Sequence, residues 1–521
     1  MSESTFLSSR ASGVLLHPTS LPGPDGIGDL GPGAYRFIEW LEEHGQSLWQ
    51  ILPLGPTSFG DSPYQTLSAL AGNPLLINLE ELSGKGWLAP DFSDDRPVFD
   101  EDRVDFGPVI QWKNRCLDLA YEGFKARGAA KDRAEFTAWR RDQEAWLADF
   151  VMFMALKEDQ EGRPWCEWPA GLRDRRTAEL LEAADRLQDR ITAHAFRQWV
   201  FFFQWSRLRA YAKARSIQLV GDLPIFVAYD SSDVWSRPKL FQLDSQGHPL
   251  CVAGVPPDYF SDTGQLWGNP LYDWKKLKSE GYSWWIERVK ACLETVDLVR
   301  IDHFRGFAAY WEVPAGEKTA MNGRWVKGPG ADFFTALKQA FGERLPIIAE
   351  DLGVITPDVE QLRDEFNLPG MKVLQFAWGG PDNAFLPQNH IPNCVVYAGT
   401  HDNDPTVSWW NNLLDDDTRQ FISEYLDREI IEPHWTLIRL GMNSCAYTFI
   451  ATMQDILGLG REGRMNLPGE GSGNWNWRMP ETALTDPSGA RLARLTWLAN
   501  RKPGQTKPTG IDPEYQPETP A

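Results

Sequence analysis

Continuous apolar runs and helix-spaced apolar residues alternate along much of this chain. Residues 13–16 form a short apolar run, and after a Gly/Pro-rich loop Pro32 opens a pattern in which Ala34, Phe37, Trp40 and Leu41 recur at helical spacing until Gly45. A second apolar run, 48–54, follows. Strand, helix, strand within about 40 residues is a βαβ unit with parallel pairing and a right-handed crossover. The alternation returns later in the chain. Helical stretches at 196–216 and 284–296 run into apolar runs at 218–224 and 298–304, and a helix at 332–341 precedes the run 346–352. Thr356 with Pro357 is expected to cap a helix over 358–366 ahead of 371–376, and runs at 394–402 and 446–453 complete the set. Eight strand candidates buried on both faces are the number that closes a (β/α)8 barrel, so the expected class is α/β, a TIM barrel.

The spacing between runs is uneven. Residues 55–216 are far more than one crossover needs, and the charged, helical character of 129–190 predicts a mostly helical insertion between the second and third strands. Residues 254–274, rich in Gly, Pro and aromatics, read as an irregular, ordered lid. Residues 502–521, with several Pro and few apolar residues, read as a surface tail. The whole of 1–521 is therefore expected to be one catalytic barrel body carrying insertions.

Composition narrows the class. The chain has 521 residues, 42% of them hydrophobic, and no apolar stretch long enough for a membrane helix. Its net charge of −20 repels nucleic acid and anionic membranes, and a neutral substrate fits better. The polar N-terminus lacks the pattern of a secretory signal, so the expected compartment is the cytoplasm. The six cysteines are scattered and form no metal-type pair, which predicts free thiols and no zinc site.

Four of the strand candidates run into acids: Asp222, Asp302, Glu350 and Asp402. Catalytic groups of a parallel barrel sit at those C-terminal ends, and several carboxylates together suit glycosidic chemistry. Their neighbours sharpen this. Gly221-Asp222-Leu223-Pro224, Arg300-Ile301-Asp302-His303-Phe304-Arg305-Gly306, Ala349-Glu350-Asp351-Leu352-Gly353 and Gly399-Thr400-His401-Asp402-Asn403 follow the order of the four signature regions of the α-amylase clan. Within that clan the chain resembles the amylomaltases, the 4-α-glucanotransferases, over nearly its whole length. Supporting pieces are Ser62-Pro63-Tyr64-Gln65, Gly72-Asn73-Pro74, Leu266-Trp267-Gly268-Asn269-Pro270, Arg464-Met465-Asn466 and Gly473-Asn474-Trp475. The Asn-His pair that usually follows the first-region Asp of amylases is absent after Asp222, as in the amylomaltases. That absence implies no required metal, and no cofactor is expected.

The resemblance implies roles. Asp302 would be the nucleophile, kept ionised and aimed by Arg300; Glu350 would be the acid/base, and Asp402 the third acid that steadies the transition state. His303 and His401 would donate hydrogen bonds, Asp222 would grip a glucose hydroxyl, and Tyr64 would stack on that glucose. Trp267, Phe376 and Asn474 would line neighbouring sugar positions. Asp351, which alternation turns away from Glu350, is expected to be structural, as are the remaining histidines. The implied activity is transfer of α-1,4-glucan segments from a glucan donor to glucose or a maltooligosaccharide by a retaining double displacement, by a monomer or weak homo-oligomer. A retaining α-glucan hydrolase on the same barrel is the alternative, and a catalytically silent glycan-binding protein the third reading.

Overall fold

The computed structural model describes residues 9–257 and 261–502. Most of the tail expected over 502–521 and residues 258–260 of the expected lid lie outside them. Among the described residues twelve strands occur in chain order: β1 (Ala11–Leu15), β2 (Leu48–Gln50), β3 (Gln218–Pro224), β4 (Cys251–Val255), β5 (Gln265–Pro270), β6 (Leu298–Asp302), β7 (Ala309–Pro314), β8 (Arg324–Lys327), β9 (Ile347–Ala349), β10 (Gly370–Val373), β11 (Cys394–Tyr397) and β12 (Thr448–Thr452). Eight of them, β1, β2, β3, β6, β9, β10, β11 and β12, close into a barrel in that order, every neighbouring pair parallel. The (β/α)8 expectation holds, and each barrel strand overlaps one of the eight apolar runs.

Alternation along these strands builds the site. Leu48, Val220, Leu298, Ile348, Val395 and Ile450 belong to one buried cluster inside the barrel. Two residues further along each strand, on the same face, stand Gln50, Asp222, Arg300, Glu350, Tyr397 and Thr452. An apolar floor thus gives way to a polar layer within one pleat. Tyr397 Oη donates to Gln50 Oε1 at 2.8 Å and closes part of that layer. The outer faces of the strands pack against the helices in a second, larger cluster that includes Phe37, Trp49, Trp205 and Val299.

Several expected elements end elsewhere. Residues 371–376 are not one strand: β10 stops at Val373 and Leu374–Phe376 is a 3-10 turn. Thr356 stands at the N-cap of the helix Pro357–Glu365 but makes no capping bond; its hydroxyl accepts from Arg305 instead. Between β2 and β3 the chain first makes short turns and the helix Leu79–Gly84. It then runs through the helices Phe106–Arg127, Ala130–Asp142, Glu144–Asp159, Thr177–Arg186 and Gln188–Ala214.

The expected irregular lid is corrected. Part of 254–274 is β5, which belongs to a four-stranded antiparallel sheet of order β5-β4-β7-β8. Its strands are short, and the pairing of β4 with β5 shifts register between Val252 and Gly254. Pro256, Pro257 and Gly268 break any alternation a reader of the sequence could follow.

Candidate active site

Arg300 is the hub. It lies on β6 two residues before Asp302, so both side chains rise from the same strand face. Its Nη1 donates to Asp222 Oδ2 at 2.6 Å, its Nη2 is 3.0 Å from Asp302 Oδ1, and its Nε lies 3.4 Å from Met371 Sδ. One buried guanidinium is therefore shared by two acids. Burial pushes the Asp302 carboxyl up to about 6; Arg300 opposes the rise, and Asp222 and Asp402 add to it. The motif alone predicts that Arg300 keeps Asp302 ionised. Because Arg300 also serves Asp222, it limits the rise without cancelling it. Asp302 remains 27% exposed and open to the cleft.

Asp222 requires a second correction. The resemblance sets it against a sugar hydroxyl, yet its side chain is 0% exposed. Its Oδ2 accepts from both Arg300 and the Tyr64 hydroxyl, the latter at 2.7 Å, and burial raises its carboxyl above the ordinary value. Asp222 fixes the residues that face the cleft and does not face it itself. Tyr64 is half-buried, with its ring stacked on His401 at 5.4 Å between centroids and 16° between planes.

Burial depresses the pKa of His401, with Asp402 opposing, which favours the neutral ring. The Tyr64 hydroxyl proton is committed to Asp222, so the Tyr64 oxygen accepts from His401 Nε2 at 2.9 Å. That assigns the ring proton to Nε2, which also faces Asp402 Oδ2 at 3.3 Å. Asp402, 41% exposed, is held at its other oxygen by Asn466, whose Nδ2 donates to Oδ1 at 2.7 Å. Arg464, ion-paired with Asp404, donates to the Asp402 carbonyl at 3.1 Å.

Glu350 follows β9 and is buried. Its Oε2 accepts the His303 backbone N–H at 2.6 Å, and Oε1 accepts that of Leu352 at 3.1 Å. Burial lifts its carboxyl well above the ordinary range, Arg300 opposing and Asp302 adding to the rise. His303 adopts the left-handed backbone region, φ 52°, which aims its N–H at Glu350. Burial lowers its imidazole to about 4, so it too is neutral, and Trp267 packs edge-on against it at 4.9 Å. Asp351 points the other way, pairing with Arg363 at 2.5 Å and accepting from Met371 N–H at 2.7 Å, which is the structural part expected of it.

The remaining residues are more peripheral. Phe376 sits half-buried in its 3-10 turn beside the barrel-interior cluster, with Phe385 edge-on at 6.1 Å. Asn474, expected to line a sugar position, has its amide engaged by its own loop: it accepts from Leu467 N–H at 2.9 Å and donates to the Glu470 carbonyl at 2.9 Å. These bonds shape the loop that follows Asn466, the residue bound to Asp402. Sequence reasoning did not single out Asn466, Arg464 or Trp475, whose buried ring lies 5.8 Å from Tyr64. Their motifs were visible, but only the fold brings them to Asp402 and Tyr64. Among the described residues no group of three or more His, Cys, Asp or Glu is placed to hold a metal ion. No helix among them is long and apolar enough to cross a membrane.

The family model for 4-alpha-glucanotransferase matches residues 16–485. The 4-alpha-glucanotransferase of Thermus thermophilus is 50% identical over 94% of this chain and 99% of its own length, and that of Synechocystis sp. is 51% identical over 95% and 99%. An amylomaltase from Streptococcus agalactiae, solved in complex with acarbose, superposes with a TM-score of 0.91 at 39% identity, covering 94% of this chain and 99% of that one. The chain belongs to the 4-alpha-glucanotransferase family.

Proposed function

We propose that this enzyme transfers segments of α-1,4-glucans between maltooligosaccharides by a retaining double displacement, with Asp302 as nucleophile and Glu350 as acid/base. The observation that carries the assignment is the division of two neighbouring carboxyls by their surroundings. Asp302, at about 6, is mostly ionised at neutral pH, whereas burial holds Glu350 well above the ordinary carboxyl value and so favours its protonated form. Retention needs that pair: one carboxylate to attack the anomeric carbon and one carboxylic acid to protonate the departing 4-oxygen.

The attack breaks the glycosidic C–O bond and forms an ester between Asp302 and the donor glucan. Glu350 gives its proton to the released segment and then, as carboxylate, takes the proton of an incoming 4-hydroxyl while that oxygen displaces Asp302. Asp402 is proposed to bind hydroxyls of the reacting ring, more strongly as it flattens toward an oxocarbenium ion. Its two oxygens are already oriented by His401 and Asn466, so little reorganisation is left for the transition state. Tyr64 supplies the stacking face for that ring, while Trp267, His303 and Phe376 flank the cleft where neighbouring sugars would lie. Asp222 supports Arg300 and Tyr64 from behind, and Asn474 shapes the loop carrying Asn466.

Incubation with maltotriose tests the reading. Transfer yields glucose with a ladder of longer oligosaccharides and a constant number of reducing ends; hydrolysis yields shorter sugars only, with reducing ends rising. Asp302→Asn is expected to lose nearly all turnover, and full activity in that variant would sink the assignment of the nucleophile.

A further inference from the structure

Outside the cleft, the small antiparallel sheet presents a tryptophan to solvent. Trp325 lies on β8, the edge strand of that sheet, and is 40% exposed. Large apolar side chains on a surface edge are normally removed or covered. This one is held in place. The Arg305 guanidinium lies over its ring, 3.8 Å from the centroid. Trp311, its in-register partner on β7, packs edge-on at 5.2 Å and 68°, its own indole N–H tied to the Ala320 carbonyl at 2.8 Å. A ring fixed by a cation over it and by a steeply inclined neighbouring indole offers its exposed part as a flat, preorganised platform.

The platform joins the cleft through Arg305. That residue stands three positions after Asp302, and its Nη1 donates to the Val354 carbonyl and to Thr356 Oγ1 in the segment just after Glu350. Backbone geometry keeps Arg305 within about 11 Å of Asp302 and Val354 within about 14 Å of Glu350. Val354 and, in the β7–β8 hairpin, Met321 are exposed as well. Trp267, which packs on His303 at the cleft, belongs to β5 of the same sheet. One sheet thus carries an aromatic at the catalytic carboxylates and another on its outer edge.

We propose that Trp325 is an outlying glucan-binding platform, on which a pyranose ring of a long α-1,4-glucan stacks after the chain has left the catalytic cleft. The proposal rests on the transferase reading above and adds a contact that only long substrates reach. On this proposal a short oligosaccharide bound in the cleft ends before it. The chemistry is stacking of the apolar face of a sugar ring on the indole, with Lys327, two residues on along the same strand face, free to meet outward hydroxyls.

The test is the ratio of kcat/KM for long amylose to kcat/KM for maltotriose, measured in the parent enzyme, in Trp325→Ala and in Trp325→Leu. Leucine keeps apolar packing under Arg305 while removing the flat ring, and so covers the case in which the alanine variant does not fold. The ratio is expected to fall about tenfold in both, the fall lying in KM for amylose. A ratio equal to the parent's, even where both activities drop because Arg305 has loosened, would overturn the platform. So would an unchanged ratio accompanied by loss of a parent dimer in sedimentation, which would assign the face to a second copy of this chain. A parent enzyme that hydrolyses maltotriose without transfer would defeat the transferase reading itself, and the ratio reports the platform separately.

Discussion

Asp402 shows what the positioning residues contribute. A carboxylate that stabilises a developing positive charge is most effective when its oxygens need not search for their orientation, because reorganisation during the reaction is a cost. Here one oxygen faces His401 and the other accepts from Asn466. Hydrogen bonds to a charged acceptor contribute about 1.5–3 kcal/mol. Asn466→Ala is therefore expected to lower kcat by about 10- to 100-fold with a smaller change in KM, since the lost alignment matters most in the transition state. Asn466→Asp should be worse at neutral pH, because it sets a second negative charge where a donor stood, and should recover partly as the pH falls and the new carboxyl takes a proton. Steady-state kinetics of both variants between pH 5 and 8 checks this. Equal losses in the two variants at every pH would remove the donor role of Asn466.

At the level of elements, the barrel was legible because its strands are buried on both faces and read as unbroken apolar runs, from 13–16 to 446–453. The acids were legible for the same reason, each marking the point where such a run meets the cleft. What escaped were features made by contacts between distant segments. Met371 Sδ beside Arg300, and the sharing of Arg300 by Asp222 and Asp302, depend on side chains from three strands. The loop bonds of the Asn474 amide to Leu467 N–H and the Glu470 carbonyl are likewise contacts that its motif does not spell out. The sheet of β4, β5, β7 and β8 escaped because its strands are short and flanked by Pro and Gly, so that 254–274 looked irregular. One close approach within the barrel yields a direct test. A Cβ added at Gly13 on β1 would lie 2.6 Å from the Leu48 carbonyl oxygen and in hard contact with Leu48 Cβ. Both atoms belong to the neighbouring barrel strand β2, which cannot retreat without breaking its register with β3. Gly13→Ala should therefore cost about 1–3 kcal/mol, the range for overpacking a well-packed interior, and lower Tm accordingly. A melting temperature equal to the parent's would show that the two strands separate more easily than their pairing implies.

For the molecule as a whole, the catalytic layer is a site where function opposes stability. Asp222, Asp302 and Glu350 gather around one guanidinium, with Asp402 acting on Asp302, in a chain already carrying a net charge of −20. Asp302 states the conflict most clearly. An aspartate in the unfolded chain titrates near 3.9, whereas in the folded enzyme burial raises it to about 6 despite Arg300. Between those values the folded state binds more protons than the unfolded one, so stability falls as pH rises through the window, and above about 6 the full deficit persists. Asparagine carries no charge to desolvate. Losing the Asp302–Arg300 pair works in the other direction, but the raised value already includes that attraction and still shows a net penalty for the ionised form. Arg300 also keeps Asp222 at 2.6 Å, so the substitution does not leave it unpaired. Asp302→Asn is therefore expected to melt above the parent at pH 7.5, by about 1–3 °C on the usual scaling for large domains. The gap should narrow steadily as the pH falls from 6 toward 4, where the native carboxyl is neutral as well. Calorimetry across that range decides it. A variant less stable than the parent at pH 7.5, or a gap independent of pH, would mean that Arg300 needs Asp302 more than burial penalises it, and that the nucleophile is not held at a cost to the fold.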